Sequence, residues 1–441
     1  YDTYIKPAAR ALWRRKNQTL INVLGLAVGL AACLLIGRYV ADAWRYDAHH
    51  EKADRIVRIT SKLSGDGAPM HLATSQGPLG PTLKAETPGV EAFARFISGG
   101  YVLTYGDVTV QEESLPHADG SVFDVFSFRL IEGDAATALS GPGKVVLSPD
   151  LARSIFGTED PIGKTIRTDR GPELTVTGII EEPPQTSHIG FEGLVSMDTH
   201  RALDPGRIDN WGRFSYWTYV LLEPGMTPED LSAAFPGLLS RHTEDGLQAA
   251  LTYDVMPLTD IYLESEAIFQ LGPTGDATAL RVFLAVAIFI LLIAVINFIN
   301  LATARATERA REVGVRKTLG APRTALVGQF LSEAVITSTL ATALAVGMAR
   351  AALPLFHSLS GTTLDGGLLP EPALVVYLAL AAVAVGVLAG AYPALILAGY
   401  EPVRVLRGSF STSRDGATLR RSLVVRSEER RVGKECTLRC R

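Results

Sequence analysis

Val282–Ala304, VFLAVAIFILLIAVINFINLATA, runs for 23 residues without a charged side chain. A bilayer core about 30 Å thick takes about 20 helical residues at about 1.5 Å each, so this stretch predicts a membrane-crossing helix rather than a buried core helix. Three other stretches read the same way. Thr19–Gly37 has 19 uncharged residues, Pro372–Tyr400 has 29, and Leu326–Ala349 carries only Glu333. Glu333 is expected near the inner interface, paired with a base such as Arg323.

The flanks set the direction of each crossing. Residues 1–19 carry five Lys/Arg against one acid, 305–323 carry six against two, and 401–441 carry eleven against five. Residues 351–371 have no Lys or Arg and two acids, and 41–280 hold 17 basic and 35 acidic residues. Basic flanks stay in the cytoplasm, so both termini and the 305–323 loop face in, while 41–280 and 351–371 face out. The alternative, a cleaved secretory signal ending near Ala41-Asp42-Ala43, needs an apolar core of only 7–15 residues, shorter than the one present.

The predicted fold is therefore a membrane protein: an α-helical bundle of four spans, with an extracytoplasmic α+β domain inserted between spans 1 and 2. The expected segments are a cytoplasmic interfacial helix at 1–19 and spans at 20–40, 281–304, 325–350 and 372–400. The outer domain is 41–280, the inner loop 305–324, the outer loop 351–371 and a cytoplasmic linker 401–425. Gly25-x-x-x-Gly29 and Gly386-x-x-x-Gly390 are the candidate close-packing positions between helices.

Composition agrees with that picture. Charged residues are 20% of the 441, mean hydropathy is +0.20 and net charge is −4, which argues against a disordered or nucleic-acid-binding chain. Three cysteines exclude a disulfide scaffold and a Cys-rich metal module.

Within 41–280, strand-like alternation marks Arg55–Thr60, Tyr101–Glu112 with a Tyr-Gly-Asp turn, Lys144–Ser148, Glu173–Ile180, Tyr216–Glu223 and Leu251–Pro257. Ser148-Pro149 opens a helix to Phe156, and Thr227-Pro228-Glu229-Asp230 opens another with a cap, Pro at its first turn and early acids. Catalytic signals are poor. His50-Glu51 lacks the second histidine of a zinc-protease helix, and no Gly-x-Ser-x-Gly elbow occurs. Gly157–Thr165 imitates a phosphate loop with five residues between its glycines instead of four, and fits a turn leading into a strand. No catalytic residue and no metal site is expected.

The inner loop is the informative cytoplasmic element. Charge runs through Glu308, Arg309, Arg311, Glu312, Arg316 and Lys317, while Val313, Val315 and Leu319 supply apolar anchors and Gly320 a helix stop. A short amphipathic helix of this kind suits docking into a partner's groove; a basic loop lying on lipid is the alternative.

Asn297–Arg305 (NFINLATAR), Arg309–Ala321 (RAREVGVRKTLGA) and Gln329–Glu333 (QFLSE) resemble the FtsX/MacB-like permease family of ABC transporters. Leu24–Gly29, Tyr46-Asp47 with His50, Ile155–Gly157, Asp160–Lys164, Val176–Gly178, Tyr392–Ala394 and Pro402–Gly408 extend the likeness, in order, over about residues 4–425. The resemblance implies a multi-pass permease subunit of the bacterial inner membrane, with a MacB-like periplasmic core domain at 41–280. It implies no cofactor in this chain, ATP being bound by a separate ABC ATPase subunit. That partner would dock on a coupling helix made of Glu308, Arg309, Arg311, Glu312, Val313, Gly314, Val315, Arg316, Lys317, Leu319 and Gly320. Transmitted motion would then move or expel an antimicrobial, peptide or lipoprotein substrate outside the membrane. The alternative from the same family is a non-transporting FtsX-like regulator or sensor acting on a periplasmic partner. Further implied partners are a second permease half or a dimer mate, a membrane-fusion protein or other periplasmic protein, and membrane lipid, with no nucleic acid.

The chain departs from the family after Leu419–Val425, which resembles the start of a second permease half. Residues 426–441 carry six basic residues and two of the three cysteines in place of the next span. This reads as a truncated chain with a non-native tail, the alternative being a basic lipid-binding tail.

Overall fold

The computed structural model describes residues 16–65, 68–169, 171–304, 315, 317–319, 321–360 and 372–399. The chain forms two compact units: Val40–Leu280, and a second built from the chain on either side of it. Among the described residues, the helices of eight or more residues are α1 (Lys16–Trp44), α2 (Leu79–Glu86), α3 (Pro149–Phe156), α4 (Pro228–His242), α5 (Ala277–Ala304), α6 (Arg323–Ser360) and α7 (Pro372–Gly399). The expected interfacial helix lies almost entirely outside the described residues, and the linker and tail from 401 onward lie wholly outside them.

Three helical stretches are long and apolar enough to cross a membrane, Thr19–Trp44, Ala277–Thr303 and Arg323–Leu359; Val375–Ala391 is a shorter apolar stretch, counted over described residues. In this unit the packing surface is made of small side chains. Ala27, Ala31, Ala294, Ala334, Ala341, Ala345, Ala349 and Ala389 are buried together with Val23, Leu26 and Phe298. Lipid offers no hydrophobic gain for burying one apolar helix on another, so close van der Waals approach between small residues has to do that work.

The Val40–Leu280 unit is built on one long, mixed sheet. Its strands are β1 (Ile56–Leu63), β2 (Met70–Leu72), β3 (Ser75–Gln76), β4 (Val90–Ile97), β5 (Tyr101–Tyr105), β6 (Val108–Glu112) and β7 (His117–Ala118). They continue with β8 (Leu130–Gly133), β9 (Lys144–Leu147), β10 (Thr165–Thr168), β11 (Leu174–Ile180), β12 (Gly193–Ser196), β13 (Phe214–Leu222) and β14 (Leu251–Pro257). The order is β14-β1-β13-β4-β7-β12-β9-β11-β10-β5-β6, with β2 on β1, β3 on β13 and β8 on β11. Among the strands named here, β9–β11 and β7–β12 pair in parallel and the other pairs are antiparallel.

Helices cover the sheet at two places, apart from the cluster of Ile56, Phe96, Phe126, Tyr219 and Leu258. At one end β1, β13 and β4 are covered by α2 and α4, whose Leu79, Leu83, Leu231, Phe235 and Leu238 pack on Val57, Ile59, Val220 and Leu222. At the other, α3 lays Leu151, Ala152, Ile155 and Phe156 over Val145, Leu147, Ile166, Leu174 and Val176. Strand β13 reads FSYWTYVLL, and its last seven side chains are all buried. Aromatic and β-branched residues without polar alternation are what a strand covered on both faces requires.

Local chemistry sets the helix ends where the sequence placed them. Ser148 Oγ caps α3 by accepting the Leu151 N–H at 3.1 Å, and Gly157 closes it at φ 64°. Thr227 and Asp230 form a reciprocal capping box at the start of α4. The Gly157–Thr165 segment leads through a turn at Gly163 into β10. Strands β4, β7 and β12 carry no alternation that the sequence reading picked out.

Candidate coupling site

Of the coupling-helix residues, Glu308, Arg309, Arg311, Glu312, Val313, Gly314, Arg316 and Gly320 lie outside the described residues. Val315 and Leu319 are 50% and 81% exposed, and the Leu319 N–H reaches the Val315 carbonyl at 3.2 Å, one helical turn back. The two apolar side chains thus lie one turn apart.

The packing glycines lie at helix crossings. A Cβ added at Gly29 would sit 2.6 Å from Ala294 Cβ, and one at Gly25 would sit 3.3 Å from Asn297 Nδ2, so α1 approaches α5 along this edge. On α7, a Cβ at Gly386 would meet Ser338 Oγ at 2.5 Å and Val335 Cα at 2.7 Å, and one at Gly390 would meet Ala334 Cβ at 2.5 Å. The Ser338 hydroxyl donates to the Ala382 carbonyl at 2.7 Å, a hydrogen bond that crosses from α6 to α7.

Glu333 corrects one expectation. It is buried on α6, and its Oε1 accepts from Gln329 Nε2 at 3.3 Å. Arg323 is ten residues earlier on the same helix, about 15 Å along the axis at about 1.5 Å per residue, too far for an ion pair. Thr337, Ser338 and Thr342 are also buried on α6, so a polar stripe runs through this helix.

The sequence singled out Tyr46-Asp47 and His50 only as part of the family likeness and gave no sign of the buried polar cluster they join, which lies where the chain enters the Val40–Leu280 unit. After α1 ends at Trp44, Asp47 adopts φ 59°, a left-handed backbone that Asp tolerates better than most residues. Its N–H donates to the Thr186 carbonyl at 2.7 Å, and its Oδ1 accepts the His188 backbone N–H at 3.0 Å. Asp47 Oδ2 faces His188 Nδ1 at 2.8 Å, and among the described residues these two atoms have no other hydrogen-bonding partner. His188 Nε2 lies 2.7 Å from the Tyr219 hydroxyl on β13. Burial raises the Tyr219 phenol well above its ordinary range. In a neutral ring, Nδ1–H pointed at the carboxylate leaves Nε2 to accept the phenol proton.

Arg58, on β1, adjoins Tyr219 and is itself fully buried. It donates to Gln270 Oε1 at 2.7 Å and to Ser265 Oγ at 2.6 Å, and burial lowers its pKa. Neighbouring His50 is pushed down to about 3, first by burial and then by the adjacent His49; its Nδ1 accepts the Ser127 N–H at 3.2 Å. An Asp–His–Tyr chain has the connectivity of a proton relay, yet Asp47, His188 and Tyr219 are 0, 1 and 0% exposed. No substrate reaches such a group, so the cluster is structural in its chemistry. Among the described residues no group of three or more His, Cys, Asp or Glu is placed to hold a metal ion.

Comparison with known proteins adds the following. The MacB-like periplasmic core domain family matches residues 19–238, and the FtsX-like permease C-terminal family matches residues 284–402. The macrolide export ATP-binding/permease protein MacB 2 of Aeromonas hydrophila is 24% identical over 363 residues, which cover 79% of this chain and 52% of that protein. The pyoverdine export ATP-binding/permease protein PvdT of Pseudomonas savastanoi pv. phaseolicola is 24% identical over 363 residues, with the same coverage. The chain thus spans about half the length of the curated relatives it matches. The crystal structure of the periplasmic region of MacB from Actinobacillus actinomycetemcomitans is 17% identical, covers 47% of this chain and 91% of that chain, and has a TM-score of 0.36.

Proposed function

The chain belongs to the FtsX/MacB-like family of ABC transporter permeases, and from that premise we propose that it transmits the ATP-driven motion of a separate ATPase subunit to its extracytoplasmic domain. The domain then moves or expels a substrate outside the inner membrane. The observation that carries this reading is the order of elements: an apolar helix, an α+β domain with the periplasmic-core match, then a second apolar helix running directly into the basic 305–321 segment. Four spans with both ends in the cytoplasm complete the topology, the fourth being the 28-residue α7.

The physical argument favours an external route for the substrate. A polar pathway through lipid needs ionisable side chains facing a cavity, and the helices here are knitted together by alanine and glycine, with Glu333 the one acid in the 326–349 stretch. ATP energy delivered at 305–321 has to leave the membrane as movement of the helices that flank the domain. The nucleotide-binding partner docks on Val315, Leu319 and the charged residues around them.

The test is co-reconstitution of the full chain with its ABC ATPase. Glu312→Arg and Gly314→Leu are expected to abolish complex formation and the stimulation of ATP hydrolysis, each by tenfold or more, while leaving the membrane insertion of the chain intact. Wild-type assembly and stimulation in both variants would refute the assignment of the coupling helix. Labelling of residues 305–323 by a membrane-impermeant reagent from outside intact cells would refute the topology.

A further inference from the structure

The chain passes between its two units twice, at 39/40 and at 280/281, and both crossings lead to the same few residues of the domain. On the incoming side, Asp47 is fixed to Thr186 and His188 by three polar contacts of 2.7–3.0 Å, and Tyr46 stacks on Tyr262 with ring centroids 3.6 Å apart and planes 6° from parallel. On the outgoing side, the Gly275 N–H donates to the Tyr262 carbonyl at 2.7 Å. The Gly272 backbone lies so close to the His188 carbonyl that a Cβ there would overlap it. Ser265 and Gln270 of the same outgoing segment hold Arg58 of β1. His188 therefore touches the incoming segment through its side chain and backbone N–H, the outgoing segment through its carbonyl, and the sheet through Tyr219 of β13.

We propose that Asp47 and His188 are the positioning residues of a joint that fastens both connections of the domain to the centre of its sheet, so that displacement of the flanking helices moves the sheet as one body. This rests on the force-transmitting reading above. An apolar contact would hold the same surfaces together at lower cost, since burying a carboxylate against an imidazole carries a desolvation penalty that well-packed hydrophobic groups avoid. What the polar chain adds is direction. Hydrogen bonds to a carboxylate are short and angular, and they resist the sliding and rotation that apolar side chains permit. Left-handed backbone at a non-glycine residue is a further cost, borne where the surrounding structure over-determines the conformation. Both costs fall on one residue, three positions after α1 ends.

The experiment uses the full chain in lipid nanodiscs with its ABC ATPase, comparing amide hydrogen exchange with ADP and with ATP plus vanadate. The wild type is expected to show a nucleotide-dependent change both in 305–321 and in 51–260. Asp47→Asn keeps the side-chain size and tolerates the left-handed backbone, but removes the charge that faces His188. In this variant, and in His188→Gln, the change in 305–321 should persist while that in 51–260 falls to a fifth or less. The Asp47 and His188 amides themselves should exchange on the order of a hundredfold faster in both nucleotide states. A purely structural role would speed exchange equally with either nucleotide and leave the difference between them intact. If Asp47→Asn loses protection throughout the sheet, Tyr219→Phe takes its place, since it keeps the ring and removes only the hydroxyl that His188 meets. Variants that transmit the full nucleotide-dependent change to 51–260 would overturn the joint and leave the permease reading standing. A wild type with no nucleotide-dependent change in 51–260 would overturn the force-transmitting reading and the joint with it.

Discussion

Replacing Gly386 by alanine should weaken the helical unit although alanine is the better helix former. The Cβ of the new residue would lie 2.7 Å from Val335 Cα and 2.5 Å from Ser338 Oγ, where ordinary contact begins at 3.4 Å. Ser338 can turn away only by giving up its 2.7 Å hydrogen bond to the Ala382 carbonyl; Val335 Cα is backbone and cannot turn at all. The two helices must then part by about 0.7 Å, the shortfall at Val335. Overpacking of this kind costs about 1–3 kcal/mol, and an interhelical hydrogen bond in lipid contributes about 0.6 kcal/mol more. Alanine's intrinsic preference for the helix returns about 1 kcal/mol, leaving a net loss of about 0.6–2.6 kcal/mol. Gly347, on α6, is the control, because a Cβ there meets nothing within 4 Å and alanine should stabilise by up to about 1 kcal/mol. Unfolding of the full chain by increasing SDS in mixed micelles, followed by circular dichroism, measures both. The reasoning fails if Gly386→Ala unfolds at the same SDS fraction as wild type or a higher one, or if Gly347→Ala loses as much.

Three further expectations concern the extracytoplasmic domain. Arg95 meets Asp119 through two bonds of 2.8 Å with both side chains largely buried, so Arg95→Met should cost about 3 kcal/mol in urea unfolding by stranding the carboxylate, and adding Asp119→Leu should recover most of it. Burial pushes His117 down to about 4, with the carbonyl of Ser196 opposing; above about pH 6.5 the ring is neutral whether folded or not and contributes no slope. As pH falls from about 6.5 toward 4, only the unfolded ring takes up a proton, so this ring lowers stability by up to about 1.4 kcal/mol per unit, and His117→Gln should remove that share of the slope while the share from His50 stays. Thr227→Ala removes the hydroxyl that accepts the Asp230 N–H at 3.2 Å and the partner of its carboxylate at 2.9 Å, and should lower the thermal midpoint in line with a loss of about 1 kcal/mol.

What was readable in the sequence was local. The caps at Ser148 and Thr227 and strands such as β11 and β14 follow from neighbours within a few residues: a hydroxyl before a proline, or a run of β-branched side chains. Uncharged runs such as Val282–Ala304 need only a count. The short strands β7 and β12 leave no such trace, because two to four residues cannot display a period and their parallel pairing joins residues more than seventy apart. Strand β4 is hidden for another reason: VEAFARFI carries Arg95 at a buried position, which breaks the alternation, and the burial becomes intelligible only with Asp119 beside it. Asp47 is the sharpest case. Read alone it is an acid in a polar turn after a long helix, with every local reason to face water. Its burial depends on His188, 141 residues later, and on Tyr219, 31 residues beyond that. A buried charge is decided by what neutralises it, and that partner is fixed by the closure of the sheet and not by any spacing along the chain. Polar residues at the joints of a domain are for this reason the ones most easily passed over in a sequence, and the ones to inspect first once the fold is known.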